Sequence, residues 1–297
     1  DVWHDPQRQE LVVRDDGVGI ADFQALLTIG RSGWSPQTCN DEQPYGVGFM
    51  SALYAATRVQ VRSISGSLVF DTDRALAKQP LSIDPNVRTD TGCEVTLTGF
   101  DWLGGAQDRL AAMCRGFELP VSFNGDDIPR EHALGQTTTA ALQTHVGTLI
   151  LGESPSAKTV VYLQGFRVYP QATDWSGAMA NVLHLDGRRY RGRLPDRDKV
   201  VDEELMLDEA AAAIHAGWEQ RLESMRSKLS EIDFCRLGHP IARALHRLEL
   251  FNDIPVVPQE WLKVYSKPPR SQFEWENSPM EPAEVPGGVL RRDDVIS

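Results

Sequence analysis

The segment LVVRDDGVGI, residues 11–20, sets two carboxylates, Asp15 and Asp16, beside Gly17 and Gly19 at the end of an apolar run. Two further glycine pairs follow. Gly30 and Gly33 flank Ser32, and Gly46 and Gly48 flank Val47 just ahead of Phe49. Glycine lets a ligand approach the backbone closely and reaches dihedrals that other residues avoid. A helix opening after such a pair would present free N–H groups and a positive dipole end to an anion. A carboxylate at a strand end can accept a hydrogen bond from the amino group of a base. Together these residue types suit a nucleoside triphosphate, with a carboxylate to meet the base and a glycine-opened helix to meet the phosphates. No G-x-x-x-x-G-K-[ST] run occurs, and no G-x-G-x-x-G follows a strand in a βαβ unit.

Residues placed in this way need a sheet with helices against it. Residues 9–14 read as a short strand, and Asp22 can cap a helix through Ile29, with Phe23, Leu26 and Leu27 at helical spacing. GRSGWSPQTCNDEQPY, residues 30–45, reads as a long loop of the kind that forms lids. A helix is expected from Gly46 through Phe49, Leu53 and Ala56. TRVQVRS and SLVFDTD alternate about Ser65-Gly66 as a hairpin, and Gly92–Phe100 is a strand with Val95 and Leu97 on one face. The class this implies is α+β, a sandwich over residues 1–105.

A helix around Asp108–Arg115 then leads into a second α/β module, residues 106–255. Its signals are a hairpin at Asn124-Gly125, strands at Val146–Leu151 and Thr159–Leu163, and a long helix over 203–230. On that helix Leu207, Ile214, Trp218, Leu222, Met225 and Leu229 form a stripe. A shorter helix is expected over His239–Phe251, with Pro240 in its first turn. Residues 256–297 are proline-rich and read as an extended tail.

The 297 residues are 41% hydrophobic and 24% charged, enough to bury a sizeable core. A net charge of −12 argues against nonspecific wrapping of nucleic acid. No apolar run approaches the roughly 18–20 residues that span a bilayer, and no signal-peptide pattern stands at Asp1. Cys39, Cys93, Cys114 and Cys235 are scattered without C-x-x-C spacing, which suits a reduced, cytoplasmic protein. His239 and His246, two turns apart on a helix, read as packed or surface residues and not as metal ligands.

The order of motifs carries more than any one of them. DDGVGI, LLTIGRSGWS, YGVGFMSAL and TGCEVTLTGF follow one another as in the Bergerat-fold (GHKL) ATPases, which this chain resembles over about its first 100 residues. The phrasing is nearest the ninety-kilodalton heat-shock chaperone-like members. The resemblance implies ATP with Mg2+, a chaperone-like ATPase, and a homodimer formed as the lid closes. Asp15 matches the adenine-binding aspartate, and Gly17 and Gly19 the glycines that make room for the base. Gly30 and Ser32 match the segment beside the lid, which would span residues 33–45. Gly46, Val47, Gly48 and Phe49 match the phosphate-contacting turn. Cys93 stands where the family usually has threonine, so a hydroxyl that helps bind adenine through water is missing or replaced. Asp16 reads as an exposed turn residue.

One departure concerns turnover. In the family a helix ahead of the first glycine box supplies a glutamate general base and an asparagine magnesium ligand. Here only Asp1–Arg14 precede Asp15, and Glu10 lies in the strand itself. The expectation is a fragment of a longer protein; the alternative is a nucleotide-gated interaction module without turnover. The second module resembles the family's transducer domain, which delivers a cation to the γ-phosphate. DGRRYRGRLPDRDKVVDEE carries that chemistry, with Arg197 the first choice and Lys199 the second. A DNA-engaging ATPase nearer MutL or gyrase would draw on the same arginines, against the net charge.

Overall fold

The computed structural model describes residues 1–100, 105–137, 139–169, 179–194, 199–258 and 289–291. The chain is of α+β type and divides into two compact units. The first holds Asp1–Ala140, Val161–Ala172 and His184–Glu203; the second holds Ala141–Val160, Thr173–Leu183 and the chain from Glu204 onward.

Eight short strands form the sheet of the first unit: β1 (Val2–Asp5), β2 (Glu10–Asp15), β3 (Arg58–Ser63), β4 (Gly66–Asp71), β5 (Ile83–Asp84), β6 (Cys93–Thr98), β7 (Ser122–Phe123) and β8 (Asp126–Asp127). Their order is β5-β4-β3-β6-β2-β1-β7-β8. Alternation puts Val59, Val61 and Ser63 of β3 opposite Leu97, Val95 and Cys93 of β6. Those three in turn face Leu11, Val13 and Asp15 of β2. Directly opposed residues of antiparallel strands share a face, so this face carries three rows. Leu11–Leu97–Val59 and Val13–Val95–Val61 are apolar, whereas Asp15–Cys93–Ser63 is polar.

Val59 and Val61 are completely buried, in one core with Phe23, Leu53, Leu68, Phe70 and Leu97. Each such valine contributes about 1.5–3 kcal/mol of burial. Cover thins toward β2, where Val13 is 42% exposed although its row-mate Val61 is not exposed at all.

Several elements differ from the sequence reading. Asp22 does cap a turn, accepting from Gln24 N–H at 2.9 Å, but the turn is a 3₁₀ helix over Phe23–Leu27. Thr28 is extended and Gly30 sits at φ 78°, which ends it early. The stretch read as loop contains α1 (Pro36–Glu42), which buries no residue and is therefore silent in hydrophobic periodicity. Its caps specify it instead: the Ser35 side chain accepts from Thr38 N–H, Pro36 takes the first turn, and left-handed Gln43 closes it.

The helix expected from Gly46 begins later, as α2 (Met50–Ala55). Turns from Val47 O to Met50 N–H and from Gly48 O to Ser51 N–H lead into it. In the β3–β4 hairpin Ser63 pairs with Gly66, so the turn residues are Ile64-Ser65. Helices α3 (Thr72–Leu76) and α4 (Ala106–Cys114) complete this part. The Asn124-Gly125 turn is present, with both residues at positive φ as a two-residue hairpin demands. Its strands β7 and β8 join the first sheet through the parallel pair Val2–Phe123, so that sheet extends past residue 105.

A second sheet holds β9 (Ala141–Thr144), β10 (Gly147–Ile150), β11 (Thr159–Leu163), β12 (Phe166–Tyr169) and β13 (Asn181–Leu185), in the order β12-β11-β13-β10-β9. In the first unit Tyr162 is completely buried, with its hydroxyl 2.7 Å from His132 Nδ1 and its ring stacked on His184. His184 Nε2 donates to the His132 carbonyl at 2.7 Å. Burial holds both histidines below their ordinary pKa.

In the second unit the long helix α5 (Glu203–Lys228) buries Met206, Ala210, Ala213, Ile214, Gly217, Trp218 and Leu222. Of the expected stripe, Leu207 and Met225 are half-buried and Leu229 is exposed. A Cβ at Gly217 would come within 2.8 Å of Leu149, so glycine sets the closeness of that helix to β10. Buried Asn181 accepts from Gly152 N–H at 3.0 Å and from Trp218 Nε1–H at 2.9 Å.

The next helix, α6 (Glu231–Ala244), starts well before His239 because Ser230 caps it, accepting from Asp233 N–H. Pro240 therefore lies in its interior, and Leu248–Phe251 is a separate 3₁₀ turn after His246 at φ 57°. Beyond it, β14 (Val256–Pro258) pairs antiparallel with β15 (Val289–Arg291), so strand pairing occurs inside the stretch read as a tail. The rest of that stretch lies outside the described residues. Among the described residues no helix is long and apolar enough to cross a membrane.

Candidate functional site

The polar row closes the apolar face where β2 ends. Asp15 is exposed, and its Oδ1 accepts from Gly17 N–H at 2.9 Å, the short-range bond that an aspartate favours at a turn. Gly17 is tight for the same reason, since a Cβ there would sit 3.0 Å from that oxygen. Gly19, at φ 73°, packs its backbone against Gly92 and Ser63; a Cβ would lie 2.8 Å from both Gly92 O and Ser63 Oγ. Gly92, at φ 64°, has no room at all, because a Cβ would fall 1.9 Å from Asp15 O. Its N–H donates to Gly17 O at 2.9 Å. The loop of residues 16–20 is thus clamped to the turn before β6.

Cys93 is buried beside Asp15. Its thiol is pushed up to about 11, chiefly by burial and then by the carboxylates of Asp15 and Glu94. A neutral, buried thiol is a packing group here and not a nucleophile. Asp16 is exposed, as a turn residue would be.

The segment expected to act as a lid is gathered at its neck. Gly30 N–H donates to Gly46 O at 3.1 Å. Gly46 adopts φ 65°, and a Cβ on it would meet Arg31 N and Gly30 C at 2.7 Å. An ion pair of Arg31 with Asp22, 2.8 Å and half-exposed, links the neck to the 3₁₀ turn. Ser32 Oγ accepts from Trp34 N–H at 3.2 Å and shapes the first bend. Gly33 and Gly48 differ from the other glycines: neither has positive φ, and a Cβ on either would meet nothing within 4 Å. The fold itself imposes no glycine at those two positions. Val47 and Phe49 are half-buried, and Phe49 packs on the core below the sheet's apolar rows.

The far end of the segment is docked within the same unit. Gln43 donates through Nε2 to Arg188 O at 3.0 Å and accepts from Arg191 Nε. Tyr45 donates its hydroxyl to Gly192 O at 2.7 Å, and Gln164 Nε2 donates to Glu42 O. Residues 191–193 run antiparallel to residues 199–201: Arg193 N–H donates to Lys199 O at 2.7 Å, Val201 N–H to Arg191 O at 2.9 Å, and Gly192 bridges Val200. Lys199 is half-buried. Arg197, the first choice for a catalytic cation, lies outside the described residues.

The neighbouring arginines have intramolecular partners. Arg188 grips Asp186 with two bonds, at 3.0 and 2.9 Å, and holds that carboxyl below the usual range. Arg189 lies over the Tyr190 ring at 5.6 Å.

The structure therefore assembles Asp15, Gly17, Gly19 and Cys93 at one end of the sheet, and joins Gly30 to Gly46 at the neck of the 31–45 segment, with Ser32 in its first bend and Gly48 in the turn before α2. The sequence reading passed over Ser63, Gly92, Gln43 and Tyr45. Ser63 had a signal, a serine where the inward alternation of β3 calls for a third apolar residue; Gly92 had one in the TGC turn before β6. Gln43 and Tyr45 had none, because their partners lie about 145 residues away.

No protein-family model matches the chain, and no curated protein matches it. Among solved structures it is similar to two crystal structures of the ATPase region of Saccharomyces cerevisiae topoisomerase II, one of them bound to ICRF-187 (dexrazoxane). Identity is 11% in each case, with TM-scores of 0.38 and 0.39 over 57% of this chain and 56% of those chains. The chain thus spans a little over half the length of those structures. A superposition this loose carries no weight for the site, which stands on the hydrogen bonds and close approaches above.

Proposed function

We propose that this chain is a GHKL-type protein that binds ATP at the β2 end of its first sheet. The observation that carries the reading is the polar row ending in Asp15. An exposed carboxylate, steadied by Gly17 through one oxygen, stands beside an apolar row whose nearest member, Val13, is uncovered. A flat base with an exocyclic amino group matches both features: its ring would cover Val13 and its amine would donate to Asp15. Gly33 and Gly48 support the phosphate end, since open backbone without strain is what a ligand's close approach requires.

Closure of the 33–45 segment over the phosphates would bring with it the stretch that follows Arg188–Gly192, to which Gln43 and Tyr45 are bonded. A cation from that stretch, Arg197 first and Lys199 second, would neutralise charge developing in phosphoryl transfer. Among the described residues no three His, Cys, Asp or Glu side chains gather as a metal site. Mg2+ asks for less, because it is held mainly by phosphate oxygens and water with one or two carboxylates. Hydrolysis, the chaperone-like branch and lid-dependent homodimerisation belong to this reading as its finer parts. A binding-only module is the alternative if phosphate release is absent. The DNA-engaging version would draw on Arg188, Arg189 and Arg191, which in the unliganded chain bond Asp186, lie over Tyr190 and bond Gln43 respectively.

The test is a thermal melt with and without ATP and ADP, followed by phosphate release. A ligand that binds only the folded chain raises its stability by RT ln(1 + [L]/Kd). Absence of any shift with both nucleotides refutes the reading, and a shift without turnover selects the binding-only form.

A further inference from the structure

We propose that Ser63 is the positioning residue of the base end, holding Asp15 so that it distinguishes an amino group from a carbonyl on the base; this rests on the nucleotide reading above. Ser63 is completely buried at the end of β3, in the row of Cys93 and Asp15. A hydroxyl in such a place costs free energy unless it is hydrogen-bonded. Here it bonds in both senses. It accepts from Ile20 N–H at 2.6 Å and donates to Gly92 O at 2.8 Å.

Those two bonds join a longer series. Gly92 N–H reaches Gly17 O at 2.9 Å, and Gly17 N–H reaches Asp15 Oδ1 at 2.9 Å. Ser65 Oγ adds a bond to Ile20 O at 2.5 Å. The order along the series is Ile20, Ser63, Gly92, Gly17, Asp15. Ser63 thus ties the two ends of the loop that follows Asp15: the Ile20 end, which also packs on the core, and, through Gly92, the Gly17 end, which has no side chain of its own to fix it. With one carboxylate oxygen committed to Gly17, the other meets the base as an acceptor only. An adenine amine satisfies it; a hypoxanthine carbonyl, acceptor against acceptor, does not. Without the Ser63 hydroxyl the loop loses its anchor, the carboxylate turns away, and the distinction fades.

The experiment titrates the chain with ADP and IDP by calorimetry, for wild type, Ser63→Ala and Ser65→Ala, with melts to show that each variant is folded. Wild type should prefer ADP by about tenfold or more, the scale of one charge-assisted hydrogen bond. Ser63→Ala should weaken ADP by about tenfold and leave IDP nearly unchanged, so that the ratio collapses. A purely structural role would weaken both nucleotides alike, and a folded Ser63→Ala chain with the wild-type ratio overturns the proposal. Should that variant not fold, Ser65→Ala serves, with a ratio lowered about threefold; an unchanged ratio there overturns it equally. Wild type that binds neither nucleotide overturns the nucleotide reading itself, which separates the two failures.

Discussion

Replacing Asp15 with asparagine alters one charge and almost nothing else. The side chain is exposed, and an amide oxygen can still accept from Gly17 N–H across the present 2.9 Å. Unliganded stability should therefore stay within about 0.5 kcal/mol of wild type. Binding should not. With its oxygen on Gly17, the asparagine turns an NH2 group toward the base, donor against donor. The lost bond to a charged acceptor is worth about 1.5–3 kcal/mol, or roughly 12- to 160-fold in Kd. At an ADP concentration about 100 times the wild-type Kd, ligand stabilisation is about 2.7 kcal/mol. A hundredfold weaker variant keeps only about 0.4 kcal/mol at that concentration. With about 2–4 °C per kcal/mol for a domain of this size, the ADP shift should fall from about 5–11 °C to about 1 °C. Differential scanning fluorimetry and calorimetry read both numbers, with Asp16→Asn as a control that should behave as wild type. An Asp15→Asn chain that melts normally and keeps its full ADP shift would refute the assignment of the base reader.

Three other outcomes follow from single contacts. Gly46→Ala places a Cβ 2.7 Å from Arg31 N and Gly30 C at φ 65°, so it should cost about 1–3 kcal/mol and speed limited proteolysis between residues 31 and 45. Asn181→Ala strips the acceptor from Gly152 N–H and Trp218 Nε1–H, both buried, and should lower stability by about 2–4 kcal/mol in urea titrations. Acidification should also destabilise the chain through His132 and His184. Both stay neutral when folded at a pH where the unfolded forms, with a pKa near 6.5, already take protons. The unfolded state then binds more protons, so stability is complete above about pH 6.5 and is lost as pH falls toward the lowered folded values. Urea midpoints at pH 7.5 and 5.5 should differ in that sense, and substituting His184 with glutamine should shrink the difference.

Where one contact sets the outcome, the sequence reading matched the structure. Alternation in RVQVRS and CEVTLT marked β3 and β6 as strands, and Asn124-Gly125 placed a two-residue turn because only such residues accept its dihedrals. Asp15, Gly17 and Gly19 were legible as a group since strand end, carboxylate and glycines are neighbours in the chain. Helix α1 buries nothing and leaves no periodic trace; its local signs are the cap Ser35, Pro36 in the first turn and Gln43 at its end. Helix α6 starts before the opening that Pro240 suggests, because Ser230, accepting from Asp233 N–H, caps it more strongly. The partners of Gln43 and Tyr45 come from tertiary structure alone, and no local rule reaches 145 residues along the chain.

The clasp between Gly30 and Gly46 has a consequence for how this protein can change. A segment closed at its neck contributes a nearly fixed loop-closure cost, which rises by only about 0.6 kcal/mol for each doubling in length. Residues could therefore be inserted or exchanged near Trp34, on the exposed limb, without disturbing the sheet end that holds Asp15. The other limb has no such freedom, because Glu42, Gln43 and Tyr45 are committed to partners at 164 and 188–192. Variation should gather around Trp34 on the exposed limb and be purged from the 42–45 limb.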